Sequence, residues 1–234
     1  MPRRLVYEGV VYGEATDESG ERAARDSTFT VVLASERRND GSTRVEITVN
    51  RDDLGAVTVG PRGELYDVAA RSKELADALR EQWKAAQHPL LLRLYETALA
   101  KGERSELKIA LTDIVAKALL DDLRSKNFLL VDEAVLQYEF VAFRTLLGRR
   151  VAELRYSVGN VLRQSWAPPT RSDFWIDRAT TTAWYFVDAE GGYGVAHYQV
   201  VEFAMRIAGK TMTARQIVSM RLNLAKSEGL QTPP

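Results

Sequence analysis

Residues 43–49, Thr43-Arg44-Val45-Glu46-Ile47-Thr48-Val49, are the stretch of the chain that most directly predicts its fold. Apolar and polar side chains alternate along it. Val45, Ile47 and Val49 would face a core, and the residues between them would face water. This period of two is typical of a β-strand in a sheet with one buried and one solvated face.

Two similar runs precede this strand, at residues 5–12 and 28–33, and both are rich in β-branched and aromatic residues. Residues 38–42 contain Asn, Asp and Gly, which adopt positive φ readily and indicate a hairpin turn. The charged segment 17–26 is predicted as a mobile loop. Residues 1–62 are therefore predicted as an antiparallel β-meander.

The middle of the chain, residues 63–165, is predicted as a helical region because its apolar spacing changes to three and four. Val68, Leu75, Leu79 and Trp83 indicate a helix that ends before His88-Pro89. Further helices are predicted over residues 89–100, 107–119 and 135–146, and the last either continues to residue 158 or breaks at Gly148.

Residues 166–234 are predicted as a mixture of one hairpin and two helices, either separate from the helical region or continuous with it as one domain. The hairpin consists of strands at 180–187 and 193–198 around a Gly-rich turn. The helices are predicted at 199–208 and 213–226, and their short connection leaves a helix-turn-helix as a further hypothesis. The fold class predicted from the sequence is therefore α+β.

Composition excludes several classes of protein. The chain of 234 residues has no cysteine and two histidines, so cysteine chemistry and a His/Cys metal site are excluded, and no cofactor is predicted. There is no phosphate-binding glycine motif and no Gly-x-Ser-x-Gly elbow. A non-enzymatic protein is thus favoured over an enzyme. The absence of cysteine, of a secretory signal and of a long apolar run predicts a cytoplasmic location and no membrane span.

The candidate binding segment combines arginine with aromatic residues. Of the 20 Phe, Tyr and Trp residues, 13 fall within residues 138–203, and residues 141–234 carry 12 Lys and Arg against 7 Asp and Glu. Arginine binds phosphate through paired donors, and aromatic rings stack on unpaired bases. The predicted nucleic-acid-binding residues are Arg144, Arg149, Arg150, Arg155, Arg163, Trp166, Arg171, Trp175 and Arg178. The alternative is that the aromatic rings fill a core with arginines around them.

These features favour a non-enzymatic nucleic-acid-binding accessory protein of the DNA replication, repair or defence type. Its partner would be single-stranded or distorted nucleic acid. The alternative function is a protein–protein interaction module or a self-assembling homo-oligomer with no nucleic-acid affinity. This alternative rests on the same residues, because Trp, Tyr and Arg are also enriched at protein interfaces.

Overall fold

One antiparallel sheet of eleven strands dominates the computed structural model. The structure describes residues 4–61, 64–86, 102–110, 121, 125, 133–158, 174–207 and 210–230. The strands are β1 Arg4–Asp17, β2 Arg22–Arg37, β3 Thr43–Val49, β4 Asp52–Val59, β5 Leu65–Ala69, β6 Arg104–Ala110, β7 Glu133–Leu146, β8 Arg149–Val158, β9 Phe174–Asp188, β10 Gly194–Ile207 and β11 Lys210–Leu222.

The two ends of the described chain meet in the middle of this sheet. The strand order is β5-β4-β3-β2-β1-β11-β10-β9-β8-β7-β6, so the first and last strands are neighbours. They pair antiparallel, with Tyr7 opposite Leu222 and Ala15 opposite Ala214. The three regions predicted from the sequence all contribute strands to this sheet.

Two of the hairpins turn through two residues with positive φ. Asn50 and Arg51 have φ of 51° and 76° between β3 and β4, and Leu147 and Gly148 have φ of 53° and 73° between β7 and β8. Two consecutive positive φ values match the right-handed twist of the strands that they join. Gly41 has φ of 83° in the turn between β2 and β3 that the sequence predicted.

A single helix longer than one turn is described, α1 at Lys73–Ala86. The Ser72 hydroxyl accepts a hydrogen bond from the Leu75 backbone N–H (3.2 Å) and so caps the N-terminus of α1. Ala76 and Leu79 of α1 pack against Val57 of β4 and Val68 of β5. The helix therefore covers one end of one face of the sheet.

A second core cluster lies where β1 and β11 meet. Leu5, Tyr7, Val195 and Leu222 are buried together, with Val151 from β8. Beyond β11, a short 3₁₀ helix at Leu224–Lys226 leads back along β1. There the Val6 N–H donates to Ser227 Oγ (3.0 Å), and the Asn223 N–H donates to the Val6 carbonyl (2.8 Å).

The α+β prediction is wrong, because most of the predicted helical residues that the structure describes are strands. Residues 135–158 form the hairpin of β7 and β8, and the helices predicted at 199–208 and 213–226 are β10 and β11. Leu107 lies in β6, and Val68 lies in β5 ahead of α1. The segment at 17–26 is a tight turn followed by β2 rather than a long loop. The helix predicted at 89–100 and most of the helix predicted at 107–119 lie outside the described residues.

Irregular pairing explains part of this error. β7 has a register shift between Phe140 and Ala142, so the alternation of apolar residues changes phase inside the strand. A phase change of one residue turns spacings of two into spacings of three, which imitate a helical stripe. β10 has a register shift of its own between Gly194 and Ala196, ahead of the helix predicted at 199–208.

Candidate functional face of the sheet

One face of the sheet is apolar across most of its width, and we call it the apolar face. Residues directly opposite each other on neighbouring antiparallel strands point to the same side. α1 packs on this side of the sheet, against Val57 of β4 and Val68 of β5. The pairing registers then define one row of residues across this face. In spatial order from β2 to β7, the row consists of Phe29, Gly9, Met220, His197, Tyr185, Leu154 and Phe140.

Three aromatic side chains of the apolar face form a stack. The rings of Tyr156 and Tyr185 have centroids 5.5 Å apart and planes 16° apart, and those of Tyr185 and His197 are 4.4 Å and 8° apart. Tyr138 is opposite Tyr156 in the pairing of β7 and β8 and is 2% exposed. The aromatic row of the sheet is thus built from Tyr138, Tyr156, Tyr185 and His197.

Burial keeps every member of this aromatic row uncharged at neutral pH. It lowers the pKa of His197 to about 4 and raises the pKa of Tyr138 to about 12. Burial also raises the pKa of Tyr156 and of Tyr185 above the ordinary tyrosine value. The aromatic row therefore offers apolar surface and neutral hydrogen-bonding groups rather than charge.

The next row of the apolar face mixes apolar and polar residues. Val11, Val218 and Gln199 are paired across β1, β11 and β10, and all three are half-buried. Val201 lies opposite the exposed Gln216 in the row after that. Polar amides beside half-buried aliphatic side chains suit a ligand that has both an apolar and a polar part.

The predicted arginine set is split between the two faces of the sheet. Arg150 and Arg155 are five residues apart on the regular strand β8, so they point to opposite sides. Arg150 lies over the Phe143 ring at 4.0 Å, and Arg155 lies over the Trp184 ring at 5.7 Å. These two arginines therefore do not act on a common ligand.

Two further arginines of the set are bound to carboxylates of the chain. Arg149, with 8% of its side chain exposed, donates to Asp188 (3.3 Å), which is 5% exposed, and it lies 5.7 Å from the Tyr193 ring. Arg144 pairs with Glu153. A buried ion pair of this kind holds the β9–β10 turn to β8 and leaves Arg149 unable to reach an external phosphate.

The remaining members of the set contribute little to the described surface. Arg178 is exposed in β9, and Trp175 lies in the same strand, where its side chain is outside the described part. Arg163, Trp166 and Arg171 lie outside the described residues. The described arginines therefore do not form the single converging surface through which DNA binding was predicted. Nucleic-acid binding by the chain stays a prediction.

Sequence reasoning did not predict the apolar face as a site, although its signal is present in two strands. In β10, Val201, Phe203 and Met205 alternate with Glu202 and Ala204. In β11, apolar residues occupy the even positions from Met212 to Leu222 except Gln216, and Ile217 is the one apolar residue at an odd position. His197 was predicted to have a structural role, and its ring belongs to the aromatic row.

Comparison with known proteins gives no family. No protein-family model and no curated protein matches the chain. Among solved structures, a lipovitellin structure that concerns lipid–protein interactions aligns with this chain at a TM-score of 0.47 and 11% identity, covering 100% of this chain. The chain spans 26% of that lipovitellin chain.

Two other similar structures cover most of both chains. A DUF1329 family protein from Desulfovibrio piger aligns at 10% identity and a TM-score of 0.17, over 99% of this chain and 88% of that one. The MucA/MucB complex of Pseudomonas aeruginosa aligns at 12% identity and a TM-score of 0.20, over 97% and 91%. With TM-scores below 0.5, these similarities carry no argument about function.

Proposed function

We propose that the protein is a non-enzymatic binding protein for hydrophobic, chain-like amphiphiles, which it holds against the apolar face. The observation that carries this proposal is the group of half-buried apolar side chains on this face of β1, β11 and β10, which includes Val11, Val218 and Val201. The helix α1 packs on β4 and β5, at the other end of this face.

Burial of an apolar chain supplies the binding free energy. Each CH₂ group that leaves water contributes about 0.8 kcal/mol, so a chain of eight to ten carbons contributes about 6–8 kcal/mol to offset the cost of association. The amides of Gln199 and Gln216 are available to a polar headgroup. Arg25, opposite Gly13 in the same row as Gln216, adds an exposed positive charge beside these amides.

The test compares two neighbouring residues of β11 that point to opposite faces. Val218 lies on the apolar face and Ile217 on the other, and both are half-buried. We expect Val218→Asn to weaken binding of a fluorescent fatty acid such as cis-parinaric acid about tenfold, because a polar group then replaces contact area worth roughly 1–2 kcal/mol. Ile217→Asn serves as the matched control and should leave the dissociation constant unchanged.

Failure of this proposal has two clear forms. One is that cis-parinaric acid and N-phenyl-1-naphthylamine show no saturable fluorescence increase with micromolar protein. The other is equal weakening by Val218→Asn and Ile217→Asn, which would show that loss of stability rather than of ligand contact causes the effect.

A second candidate, a protein-interaction or self-assembly function, is supported by the face opposite to the apolar face. Trp184 and Tyr198 are opposite each other there, with ring centroids 5.4 Å apart, and Arg155 lies over Trp184. Half-buried Trp and Tyr beside Arg are typical of interface anchors. Light scattering at increasing protein concentration tests self-assembly, and a constant monomer mass would contradict it.

Within the residues that the structure describes, no helix is both long enough and apolar enough to span a membrane. The finer prediction of a cytoplasmic location rests on the absence of cysteine. It remains part of this proposal, and cell fractionation of the tagged chain would contradict it by recovering the protein outside the cytoplasmic fraction.

A further inference from the structure

We propose that the face opposite to the apolar face holds a second, separate binding site for a phosphate group, formed at the turn between β3 and β4. A cavity of about 600 Å³ opens there, lined by Arg4, Thr30, Val32, Thr48, Asn50 and Arg51. Its lining combines two guanidinium groups, two hydroxyls and one amide around a single apolar residue.

The pairing register explains why these residues meet. Thr30 and Val32 of β2 lie opposite Glu8 and Val6 of β1, and Thr48 of β3 lies opposite Val32. The turn is fixed to β2 because Thr30 N–H donates to Asn50 Oδ1 (2.8 Å) and Asn50 N–H donates to the Thr30 carbonyl (2.9 Å). The floor of the cavity is therefore rigid sheet.

Arg51 is the most informative residue of this cavity. Its φ of 76° lies in the left-handed region, where a glycine is favoured after Asn50 in a two-residue hairpin turn. An arginine at this position costs backbone strain that a glycine would avoid. Its side chain is exposed, and the described residues include no ion-pair partner for it.

Arg4 is held in place and keeps donors for a ligand. One of its terminal nitrogens, Nη1, donates to the Lys226 carbonyl (2.8 Å), whereas a guanidinium group has five N–H donors in all. The fork of remaining donors matches the oxygen atoms of a phosphate, and threonine hydroxyls add neutral donors.

Three carboxylates lie on the same face beside the lining residues, on Glu8, Glu46 and Asp53. Glu46, opposite Ala34, pairs with Arg44 (3.5 Å). Glu8 binds Lys226 Nζ (2.7 Å), and Asp53, opposite Thr48, accepts from the Gly55 N–H (2.9 Å). Asp52 lies opposite Val49 and so points to the apolar face. Glu8 and Glu46 are thus paired with cations of the chain, and Arg4 and Arg51 supply the two cationic groups of the cavity lining.

The source of the phosphate is either a free small molecule or a lipid headgroup, and the experiment separates them. Inorganic phosphate is titrated by calorimetry and by backbone amide NMR shifts at Thr30, Thr48 and Asn50. In parallel, the protein is sedimented with phosphatidic acid vesicles and with phosphatidylcholine vesicles. Binding to phosphate, or to the phosphatidic acid vesicles alone, supports the site and identifies its source.

The variant Arg51→Gly is the decisive one because it removes the guanidinium and also relieves the turn. We expect at least tenfold weaker phosphate or vesicle binding, together with unchanged or higher thermal stability. Arg38→Gln, an exposed arginine of the preceding turn, is the matched control and should bind as the parent chain does.

This inference is overturned if neither phosphate nor phosphatidic acid vesicles bind, or if Arg51→Gly binds as well as the parent chain. It is independent of the amphiphile proposal, since Arg51→Gly should leave cis-parinaric acid binding unchanged and Val218→Asn should leave phosphate binding unchanged.

Discussion

At the scale of the residue, His197 shows how a hydrophobic row controls ionisation. Its ring is stacked on Tyr185, and Met220 lies opposite it on β11. The described residues provide no hydrogen-bond partner for Nε2, which is buried. Desolvation alone then disfavours the imidazolium form and lowers the pKa of His197 to about 4.

This lowered pKa predicts a stability that depends on pH. The unfolded chain takes up a proton on His197 below about pH 6.5, while the folded chain does so near its pKa of about 4. The contribution is fully present above pH 6.5 and is lost as the pH falls to 4. The loss is on the order of 3 kcal/mol, at 1.36 kcal/mol per unit of pKa.

The measurement is the free energy of urea unfolding between pH 7 and pH 4 for the parent chain and for His197→Phe. Phenylalanine keeps an aromatic ring in the stack but cannot titrate, and carboxylate effects are common to both chains. As the pH falls from 7 to 4, we expect the parent chain to lose about 3 kcal/mol more stability than His197→Phe loses. Parallel curves would show that His197 is accessible to water and titrates normally.

At the scale of the element, the pairing of β1 with β2 depends on a glycine under an aromatic ring. A Cβ atom on Gly9 would clash with the Phe29 ring and lie 2.7 Å from the Ser219 carbonyl oxygen. On the same strand and face, a Cβ on Gly13 would meet nothing nearer than the Arg25 carbonyl oxygen at 4.0 Å. The two glycines thus differ in packing and not in secondary structure.

We therefore expect Gly9→Ala to destabilise the protein by about 1–3 kcal/mol, because Phe29 must leave its position or the strands must separate. Gly13→Ala should be neutral or slightly stabilising, since it restricts the unfolded chain without a clash. Thermal unfolding of both variants measures this. Equal midpoints would contradict the packing of Phe29 on Gly9.

Comparison of the strands shows where a local sequence pattern is sufficient to predict a strand. The run Thr43–Val49 is observed as β3 with the predicted bounds, because its alternation is unbroken. In β7 the bulge shifts that alternation, and in β8 the buried residues Val151, Ala152, Glu153 and Leu154 are consecutive. Consecutive buried residues carry no period, so a local pattern does not identify such a strand.

At the scale of the whole molecule, the sheet is continuous only because β1 and β11 pair. Leu222 is 2% exposed and packs with Leu5 and Tyr7 at this junction, and Leu224, two residues further on, is 38% exposed. The partners in this pairing are about 200 residues apart in sequence, so it closes the longest loop in the fold.

Leu222→Ala should accordingly cost about 2–5 kcal/mol, and Leu224→Ala, the matched control, less than 1 kcal/mol. Urea unfolding followed by tryptophan fluorescence and by far-ultraviolet circular dichroism gives both values. If the two probes unfold separately in Leu222→Ala, the halves of the sheet are stable without their junction, which contradicts its role.

The sequence by itself determined β3 and the central parts of β1 and β2, the hairpin turns at Gly41 and Gly192, and the exclusion of cysteine chemistry. Those features depend on side-chain alternation, turn residues and composition, which are local. Only the tertiary structure decided that β7, β8, β10 and β11 are strands. It also decided that Arg150 and Arg155 lie on opposite faces and that Arg4 and Arg51 line one cavity. Strand pairing supplies the hydrogen bonds that override local helical spacing, and a register shift of one residue moves a side chain to the other face.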